Sequence, residues 1–175
     1  MKIAVTGHTK GIGRAIFNQL SLAHEVIGLS RGNGYDIANI NQIIDTVHHH
    51  DVFVNNACQG TDQEQLLIAL YDLWANQDKT IINIGSAVTV YPRIEIQLNS
   101  QPWEYRDQKI ALTNTFRRLA WSGNKCRLAL INPGATDTDM IKHLECTKIL
   151  PKEIANAVDL VLNNSYIKEL TIYAK

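Results

Sequence analysis

A glycine-rich turn close to the amino terminus places the strongest constraint on how this chain can fold. Residues 6–13 read TGHTKGIG, and they lie between the short apolar run Ile3–Thr6 and a stretch whose apolar residues recur at helical spacing. In such a strand–turn–helix, Gly7 permits a tight turn, Gly11 lets the backbone approach a pyrophosphate, and Gly13 lets the helix pack closely on the strand. The free N–H groups at the start of the helix would bind the phosphates. In this context the turn predicts a dinucleotide-binding protein rather than only a well-packed turn.

Apolar runs and helical stretches alternate along the rest of the chain. Strands are predicted at 3–6, 26–29, 51–55, 80–84, 128–131 and 170–173, and helices at 11–22, 37–48, 62–74, 105–121 and 152–162. Alternation at this spacing is typical of βαβ units and a parallel sheet. We therefore predict one α/β domain over residues 1–175. It is a Rossmann-like, doubly wound parallel sheet of about six or seven strands, with helices on both faces.

Two local features refine this predicted fold. Only four residues separate Ser30 from Tyr35, which is too few for the crossover that a parallel neighbouring strand requires. We expect Tyr35-Asp36 to be a vestigial strand or a loop, and the sheet to have a trimmed edge there. The helix over 62–74 carries an apolar stripe that we predict to be core: Leu66, Leu67, Leu70, Leu73 and Trp74.

Composition excludes several classes of function. The 17 basic and 17 acidic residues balance and form no basic tract, which disfavours a nucleic-acid or anionic-membrane binder. The three scattered cysteines argue against a disulfide framework and a structural zinc site, and the adjacent His48, His49 and His50 should point in different directions, so no metal site is predicted. The apolar run after Met1 is too short for a signal peptide, and no run has the length of a membrane span. We therefore expect a cytoplasmic protein that binds neither membrane nor nucleic acid.

Four further motifs follow the glycine turn in order. They are Asn55-Asn56-Ala57, the strand Ile82–Ser86, a YxxxK formed by Tyr105 and Lys109, and Asn132-Pro133-Gly134 followed by Thr138 and Met140. Together with TGHTKGIG they resemble the motifs of the short-chain dehydrogenase/reductase family, in its shorter rather than its extended form, and they cover nearly the whole chain. Cys58 stands where that family's NNAG motif usually has glycine. The glycine spacing and the absence of a larger C-terminal region disfavour an epimerase of the extended branch.

The pair Tyr105 and Lys109 carries the predicted chemistry. Residues four apart share one face of a helix, and an ammonium close to a phenol favours the phenolate. Such a tyrosine can act as general acid in carbonyl reduction or as general base in alcohol oxidation. Ser86, at the end of its strand, would hydrogen-bond the substrate oxygen and stabilise developing charge. By the resemblance, Lys109 also holds the nicotinamide ribose hydroxyls. Taken alone, the pair would favour an exposed aromatic–lysine pair on a surface helix, because such pairs are common; the other motifs, in order, favour catalysis.

Two departures from the family pattern are visible. Tyr105 follows Ser86 by nineteen positions, which is longer than the usual interval, so residues 91–100 are predicted to form a loop at the mouth of the site. Tyr91 lacks a lysine partner because position 95 is Glu. The family's catalytic asparagine lies on the helix after NNAG, but that region is shortened here. Neither Gln63 nor Gln65 is assigned to its role, and Asn76 falls too close to the next strand, so no water-mediated proton relay is predicted.

Charge close to the second strand indicates the cofactor. That strand ends Leu29-Ser30-Arg31 with no acid, and Arg31, with help from Ser30, would pair with a 2′-phosphate. Lys10 lies where family members that prefer NADP often carry a basic residue, and Asp36 resembles the acid that bonds the adenine amino group. NADP(H) is therefore predicted over NAD(H), although both cations would also suit a solvated surface. The predicted cofactor-binding residues are Gly7, Thr9, Lys10, Gly11, Ile12, Gly13, Ser30, Arg31, Asp36, Asn56, Ala57, Tyr105, Lys109, Pro133, Gly134 and Thr138.

Two functions from different classes fit these observations. The first is an NADP(H)-dependent carbonyl reductase or alcohol dehydrogenase acting on a small carbonyl or alcohol substrate. The second is a catalytically weak dinucleotide-binding sensor on the same fold. The resemblance also implies a lid over the substrate, which is short here over residues 135–150, and a homodimer or homotetramer. The side chains expected to line the substrate pocket are Trp103, Met140, Ile141 and Leu144.

Overall fold

The computed structural model describes residues 1–90 and 102–174. Within these residues it contains six strands: β1 (Lys2–Thr6), β2 (Glu25–Leu29), β3 (Val52–Asn55), β4 (Thr80–Ile84), β5 (Arg127–Pro133) and β6 (Glu169–Ile172). The same residues form five α-helices: α1 (Gly11–Leu20), α2 (Ile40–Val47), α3 (Asp62–Trp74), α4 (Pro102–Leu119) and α5 (Pro151–Asn163). Three short 3₁₀ helices cover Arg31–Asn33, Ala87–Thr89 and Asp139–Ile141.

All six strands run parallel in one sheet, in the order β2-β1-β3-β4-β5-β6. Helices α1 and α5 cover one face of this sheet, and α2, α3 and α4 cover the other. The predicted doubly wound, Rossmann-like α/β fold is therefore confirmed.

Strand β1 shows why the strands read as unbroken apolar runs. Successive side chains of a strand point to opposite faces. Ile3 and Val5 join the core beneath α1 and α5, whereas Ala4 between them joins the core beneath α2, α3 and α4. All three are fully buried. A parallel sheet covered on both faces has no solvent side, so alternation of polar and apolar residues is not required.

Strand β2 forms one edge of the sheet. Tyr35 and Asp36 belong to no strand, and the chain passes from the 3₁₀ helix Arg31–Asn33 through a loop into α2. Dinucleotide-binding sheets commonly have the order 3-2-1-4-5-6, whereas here the third strand lies directly beside β1. The predicted trimmed edge is confirmed, and Tyr35-Asp36 form a loop.

The predicted apolar stripe of α3 was wrong at one position. Leu66, Leu67, Leu70 and Trp74 are fully buried, but Leu73 keeps 41% of its surface exposed. Successive helical residues are rotated by about 100°, so the buried arc of α3 is centred near Leu67, Leu70 and Trp74. Leu73 falls at the margin of that arc and faces solvent.

The order of the strands locates the functional edge of the sheet. From β1 the chain first adds β2 on one side and then crosses to add β3 on the other. Ligands of open α/β sheets bind outside the carboxyl ends of the strands at such a switch point. In the described part of the chain, no helix is both long and apolar enough to cross a membrane.

Candidate active site

The glycine turn connects β1 to α1, and its glycines lie where the chain packs too closely for side chains or turns with a left-handed backbone. Gly7 adopts the left-handed conformation, with φ of 70°, and its N–H donates to the Leu29 carbonyl at 2.8 Å. A Cβ at Gly13 would lie 2.2 Å from the Gly7 carbonyl oxygen, so only glycine fits there. Lys10 precedes the first turn of α1, and its side chain makes no capping hydrogen bond. The N–H groups that begin α1 are therefore available to an anion such as a pyrophosphate.

The loop after β3 is tied to the end of β1. The Thr6 hydroxyl oxygen accepts hydrogen bonds from the backbone N–H groups of Asn56 (2.9 Å) and Ala57 (3.0 Å). The Asn56 side-chain amide donates to the Thr6 carbonyl at 2.9 Å. These bonds bring the predicted cofactor-binding residues Asn56 and Ala57 against the glycine turn.

The end of β2 holds the residues predicted to select the cofactor. Both the backbone N–H and the hydroxyl of Ser30 donate to the Asn33 side-chain oxygen, at 2.8 and 3.0 Å. The Ser30 hydroxyl proton is therefore engaged, which reduces what this residue can offer a phosphate. Arg31 is exposed and has no ion-pair partner among the described residues. The Asp36 carboxylate accepts the N–H of Ala38 at 3.0 Å.

Ser86 lies just beyond the end of β4, where the chain turns away from the sheet. The Gly85 N–H continues the ladder to the Ile131 carbonyl at 2.8 Å. Ser86 then caps the short 3₁₀ helix Ala87–Thr89, its hydroxyl oxygen accepting the Val88 N–H at 3.3 Å. Ser86 is 9% exposed. Its hydroxyl proton has no acceptor among the described residues and is available to a ligand.

Tyr105 and Lys109 lie one turn apart on α4 and share a face, as their spacing predicts. The Lys109 Nζ lies 5.7 Å from the centre of the Tyr105 ring. Tyr105 is half-buried, whereas Lys109 is only 3% exposed. A buried ammonium requires hydrogen-bond acceptors, and two surround this one. Nζ donates to the Gln63 Oε1 at 2.7 Å and to the Ile84 carbonyl at 3.0 Å.

Gln63 is the residue that sequence reasoning left unassigned. It lies in the first turn of α3 and is 2% exposed. Its amide nitrogen donates to the carbonyls of Asn55 (2.7 Å) and Ile84 (3.0 Å). One signal was visible in the sequence. Gln63 lies four residues before Leu67 and seven before Leu70, so it is a polar residue within the buried arc of α3.

One cavity of about 460 Å³ is lined by two of the three catalytic candidates and by four further cofactor candidates. Ser86 and Tyr105 line it together with Ile12, Pro133, Gly134 and Thr138. The predicted pocket residues Met140, Ile141 and Leu144 also line it. The prediction for Trp103 was wrong: this side chain is 67% exposed at the start of α4 and is not among the described lining residues. The predicted loop over residues 91–100, with Tyr91, lies outside the described residues.

The remaining candidates lie around this cavity or apart from it. Thr138 packs against the glycine turn, since its methyl carbon lies 3.1 Å from where a Cβ of Gly11 would be. Thr9 and Lys10 are exposed on the turn. The His48 and His49 rings lie 3.7 Å apart, so the expectation that the three histidines diverge was wrong for this pair. Among the described residues no group of three His, Cys, Asp or Glu side chains is placed to hold a metal.

Solved structures confirm the resemblance at the level of the fold. A short-chain dehydrogenase from Burkholderia cenocepacia in complex with NADP is 17% identical with a TM-score of 0.78, covering 99% of this chain and 88% of that one. The 3-ketoacyl-(acyl-carrier-protein) reductase from Brucella melitensis, complexed with NADH, is 16% identical with a TM-score of 0.80, covering 98% and 96%. The 3-alpha-hydroxysteroid dehydrogenase from Pseudomonas sp. B-0831, also complexed with NADH, is 21% identical with a TM-score of 0.74, covering 98% and 94%.

Sequence comparison adds nothing to this structural likeness. No protein-family model matches the chain, and no curated protein sequence matches it. The chain therefore has the fold of short-chain dehydrogenases/reductases that were crystallised with NADP or NADH.

Proposed function

We propose that this protein is an NADP(H)-dependent oxidoreductase of the short-chain dehydrogenase/reductase type, acting on a small carbonyl or alcohol. The observation that carries the proposal is a cavity lined by both Ser86 and Tyr105, with Lys109 buried next to the Tyr105 ring. A sensor that only bound a dinucleotide would need no aligned proton donor.

Each of the three residues has a defined task in this proposal. The Tyr105 phenol donates a proton to the substrate oxygen during reduction and takes it back during oxidation. The free hydroxyl proton of Ser86 donates to the same oxygen and stabilises the negative charge that develops on it. The Lys109 ammonium lies next to the Tyr105 ring and offers its remaining N–H to the cofactor. The bound nicotinamide supplies or accepts the hydride.

The residues present fit a dinucleotide. The glycine turn presents backbone N–H groups, and a Cβ at Gly13 would clash with the Gly7 carbonyl oxygen. Asn56 and Ala57 lie against this turn. Lys109 uses two of its three N–H donors on described acceptors, leaving one for a ribose hydroxyl. The preference for NADP(H) rests on Arg31 and Lys10, which are exposed and without ion-pair partners in the described part of the chain.

The lining of the cavity favours a small, uncharged substrate. Its side chains are mainly apolar, and Glu145 is the only charged residue among those described. A carboxylate or phosphate would find no cationic partner among the described lining residues, and burial of an unpaired charge costs free energy. The nicotinamide must share the same space, because Ile12, Pro133 and Thr138 also border it.

The test is NADPH consumption, followed by absorbance, across a panel of aldehydes, ketones, quinones and pterins. NADPH and NADH affinities are measured in parallel by quenching of tryptophan fluorescence. We expect turnover of at least one uncharged carbonyl and tighter binding of NADPH than of NADH. Binding of NADPH without any turnover would support the sensor instead. A failure to bind either dinucleotide would overturn both functions.

A further inference from the structure

Lys109 lies in a buried polar network that the chemistry proposed above does not explain. Asn55, Asn83, Gln63 and Lys109 come from four different elements, β3, β4, α3 and α4, and each is at most 3% exposed. Asn55 donates to the Asn83 side-chain oxygen at 3.1 Å and to the Gln63 carbonyl at 2.9 Å. The Gln63 side-chain amide in turn donates to the Asn55 carbonyl at 2.7 Å. This reciprocal pair fixes the start of α3 to the end of β3.

The orientation of the Gln63 amide is dictated by its surroundings. Its nitrogen faces two carbonyl oxygens, those of Asn55 and Ile84, and its oxygen faces the Lys109 ammonium. The flipped amide would place NH₂ against an ammonium and its oxygen against two other oxygens. An amide offers two donors and an acceptor, and here both donors and the acceptor are used. The side chain is therefore held in one orientation.

We propose that Gln63 is a positioning residue, which holds the Lys109 ammonium by a direct side-chain hydrogen bond and thereby sets where Lys109 meets Tyr105 and the cofactor. The proposal rests on the function proposed above. Two acceptors at 2.7 and 3.0 Å anchor Nζ from the side of α3 and β4. The third N–H is thus directed by the first two. A hydrogen bond to a charged group contributes more than a neutral one, so the contact is strong enough to determine the lysine rotamer.

This arrangement differs from a lysine held through water. In the described structure a buried amide oxygen touches Lys109 directly, and the amide itself is bonded to two backbone carbonyls. A solvent-linked lysine would exchange its protons and adjust its position with bound water. The direct contacts instead make the position of Lys109 depend on one side chain of α3 and one backbone carbonyl of β4.

The test compares three variants in the full chain. Gln63→Met keeps the length of the side chain but removes both the acceptor and the donors. Gln63→Glu keeps an oxygen for the ammonium but turns its second oxygen toward the Asn55 and Ile84 carbonyls, so it separates the lysine contact from the backbone contacts. Thr115→Val is the matched control, because it removes another α3–α4 hydrogen bond, from the Thr115 hydroxyl to Glu64 (2.5 Å), away from Lys109. Thermal unfolding shows which variants remain folded.

The first readout needs no cofactor or substrate. A buried, hydrogen-bonded ammonium exchanges its protons slowly, so a Lys109 side-chain signal should appear in ¹H–¹⁵N spectra, assigned by its loss in Lys109→Met. We expect the signal in wild type, Gln63→Glu and Thr115→Val, and its loss in Gln63→Met. Absence of the signal from wild type would overturn the proposal, even where Gln63→Met does not fold.

The second readout is functional. We expect Gln63→Met to lower kcat by about 10- to 100-fold, with a smaller change in KM for the carbonyl substrate. Gln63→Glu should recover only part of this loss, because it keeps the contact with the ammonium but loses the bonds to the Asn55 and Ile84 carbonyls, and Thr115→Val should match wild type. In a Lys109→Met background, Gln63→Met should weaken NADPH binding no further, since coupled residues are not additive. Equal losses in Thr115→Val and Gln63→Met, or full additivity with Lys109→Met, would contradict the proposal.

The two proposals fail in different ways. If wild type shows the ammonium signal but turns over no carbonyl, the proposed oxidoreductase function fails and the Gln63–Lys109 contact stands. If wild type turns over substrate and Gln63→Met is equally active, the positioning role fails and the function stands.

Discussion

The two ends of the proposed cofactor site are built in opposite ways. At the end formed by β3, β4 and α4, the polar groups are buried and bonded to one another, and Lys109 is 3% exposed. At the end formed by β2, Arg31 and Lys10 are exposed and unpaired among the described residues. A buried network is costly to disturb and holds its members in place, whereas exposed charges are mobile and screened by salt. The first arrangement suits chemistry, and the second suits selection of a charged ligand.

The largest effect should come from the buried end. Tyr105→Phe removes the proposed proton donor, and we expect kcat to fall by about 10²- to 10⁴-fold while NADPH affinity changes little. Tyr71→Phe is the matched control, because it removes another phenol, whose hydroxyl donates to the Leu119 carbonyl at 3.2 Å, outside the cavity. Turnover retained in Tyr105→Phe would show that the proton comes from another group.

A smaller effect, on NADPH affinity rather than on turnover, is expected from the exposed end of the site at β2. Arg31→Gln removes the cation proposed to meet the 2′-phosphate, and NADPH should bind about 10- to 100-fold more weakly while NADH binding is unchanged. Fluorescence titration with both dinucleotides measures this. Arg118→Gln, an exposed arginine of α4, serves as the control and should bind both as wild type does. An equal loss for NADH and NADPH would assign Arg31 to a role unrelated to the phosphate.

Lys10 should contribute less than Arg31. Its exposed ammonium can approach the phosphates without a fixed geometry, so Lys10→Gln should weaken NADPH binding by about two- to fivefold. The difference between wild type and variant should shrink as salt is added, because exposed charges are screened. A salt-independent difference would indicate a buried contact instead.

The last prediction concerns cysteine alkylation, which is expected to affect cofactor binding and turnover least, and it compares a buried thiol with an exposed one. Burial raises the pKa of Cys126 to about 12, and only the thiolate is nucleophilic. At pH 8 Cys126 therefore stays protonated and should resist iodoacetamide, whereas Cys146, exposed on the wall of the cavity, should be alkylated. Mass spectrometry of the folded protein measures this, with labelling of all three cysteines in denaturant as the control. Alkylation of Cys126 as fast as Cys146 would contradict its burial.

Much of the fold follows from local patterns in the sequence. The bounds of α3 and β4 agree with those predicted, since each is a long apolar pattern bordered by polar residues. The ends of helices that are set by single hydrogen bonds were less predictable. Helix α2 begins at Ile40 rather than 37 because the Asn39 side chain accepts the Gln42 N–H at 3.5 Å. Ile37 remains buried without being helical.

The site was only partly predictable, for a physical reason. Ser86, Tyr105 and Lys109 lie in motifs that are visible along the chain, and the structure places them together. The partners of Lys109 are not visible in this way, because Gln63 and the Ile84 carbonyl lie 46 and 25 residues away and are brought close only by the packing of α4 against α3 and β4. Likewise, the engagement of Ser30 by Asn33 depends on the local turn.

The most direct test of the central claim is transfer of the hydride itself. NADPH carrying deuterium at both C4 positions of the nicotinamide is incubated with the protein and the best carbonyl of the panel, and the alcohol is analysed by mass spectrometry. The account predicts one deuterium in the product alcohol from wild type and almost none from Tyr105→Phe in the same time. Bound NADPH with no deuterium in any product would show that the glycine turn serves a binding protein and not an oxidoreductase.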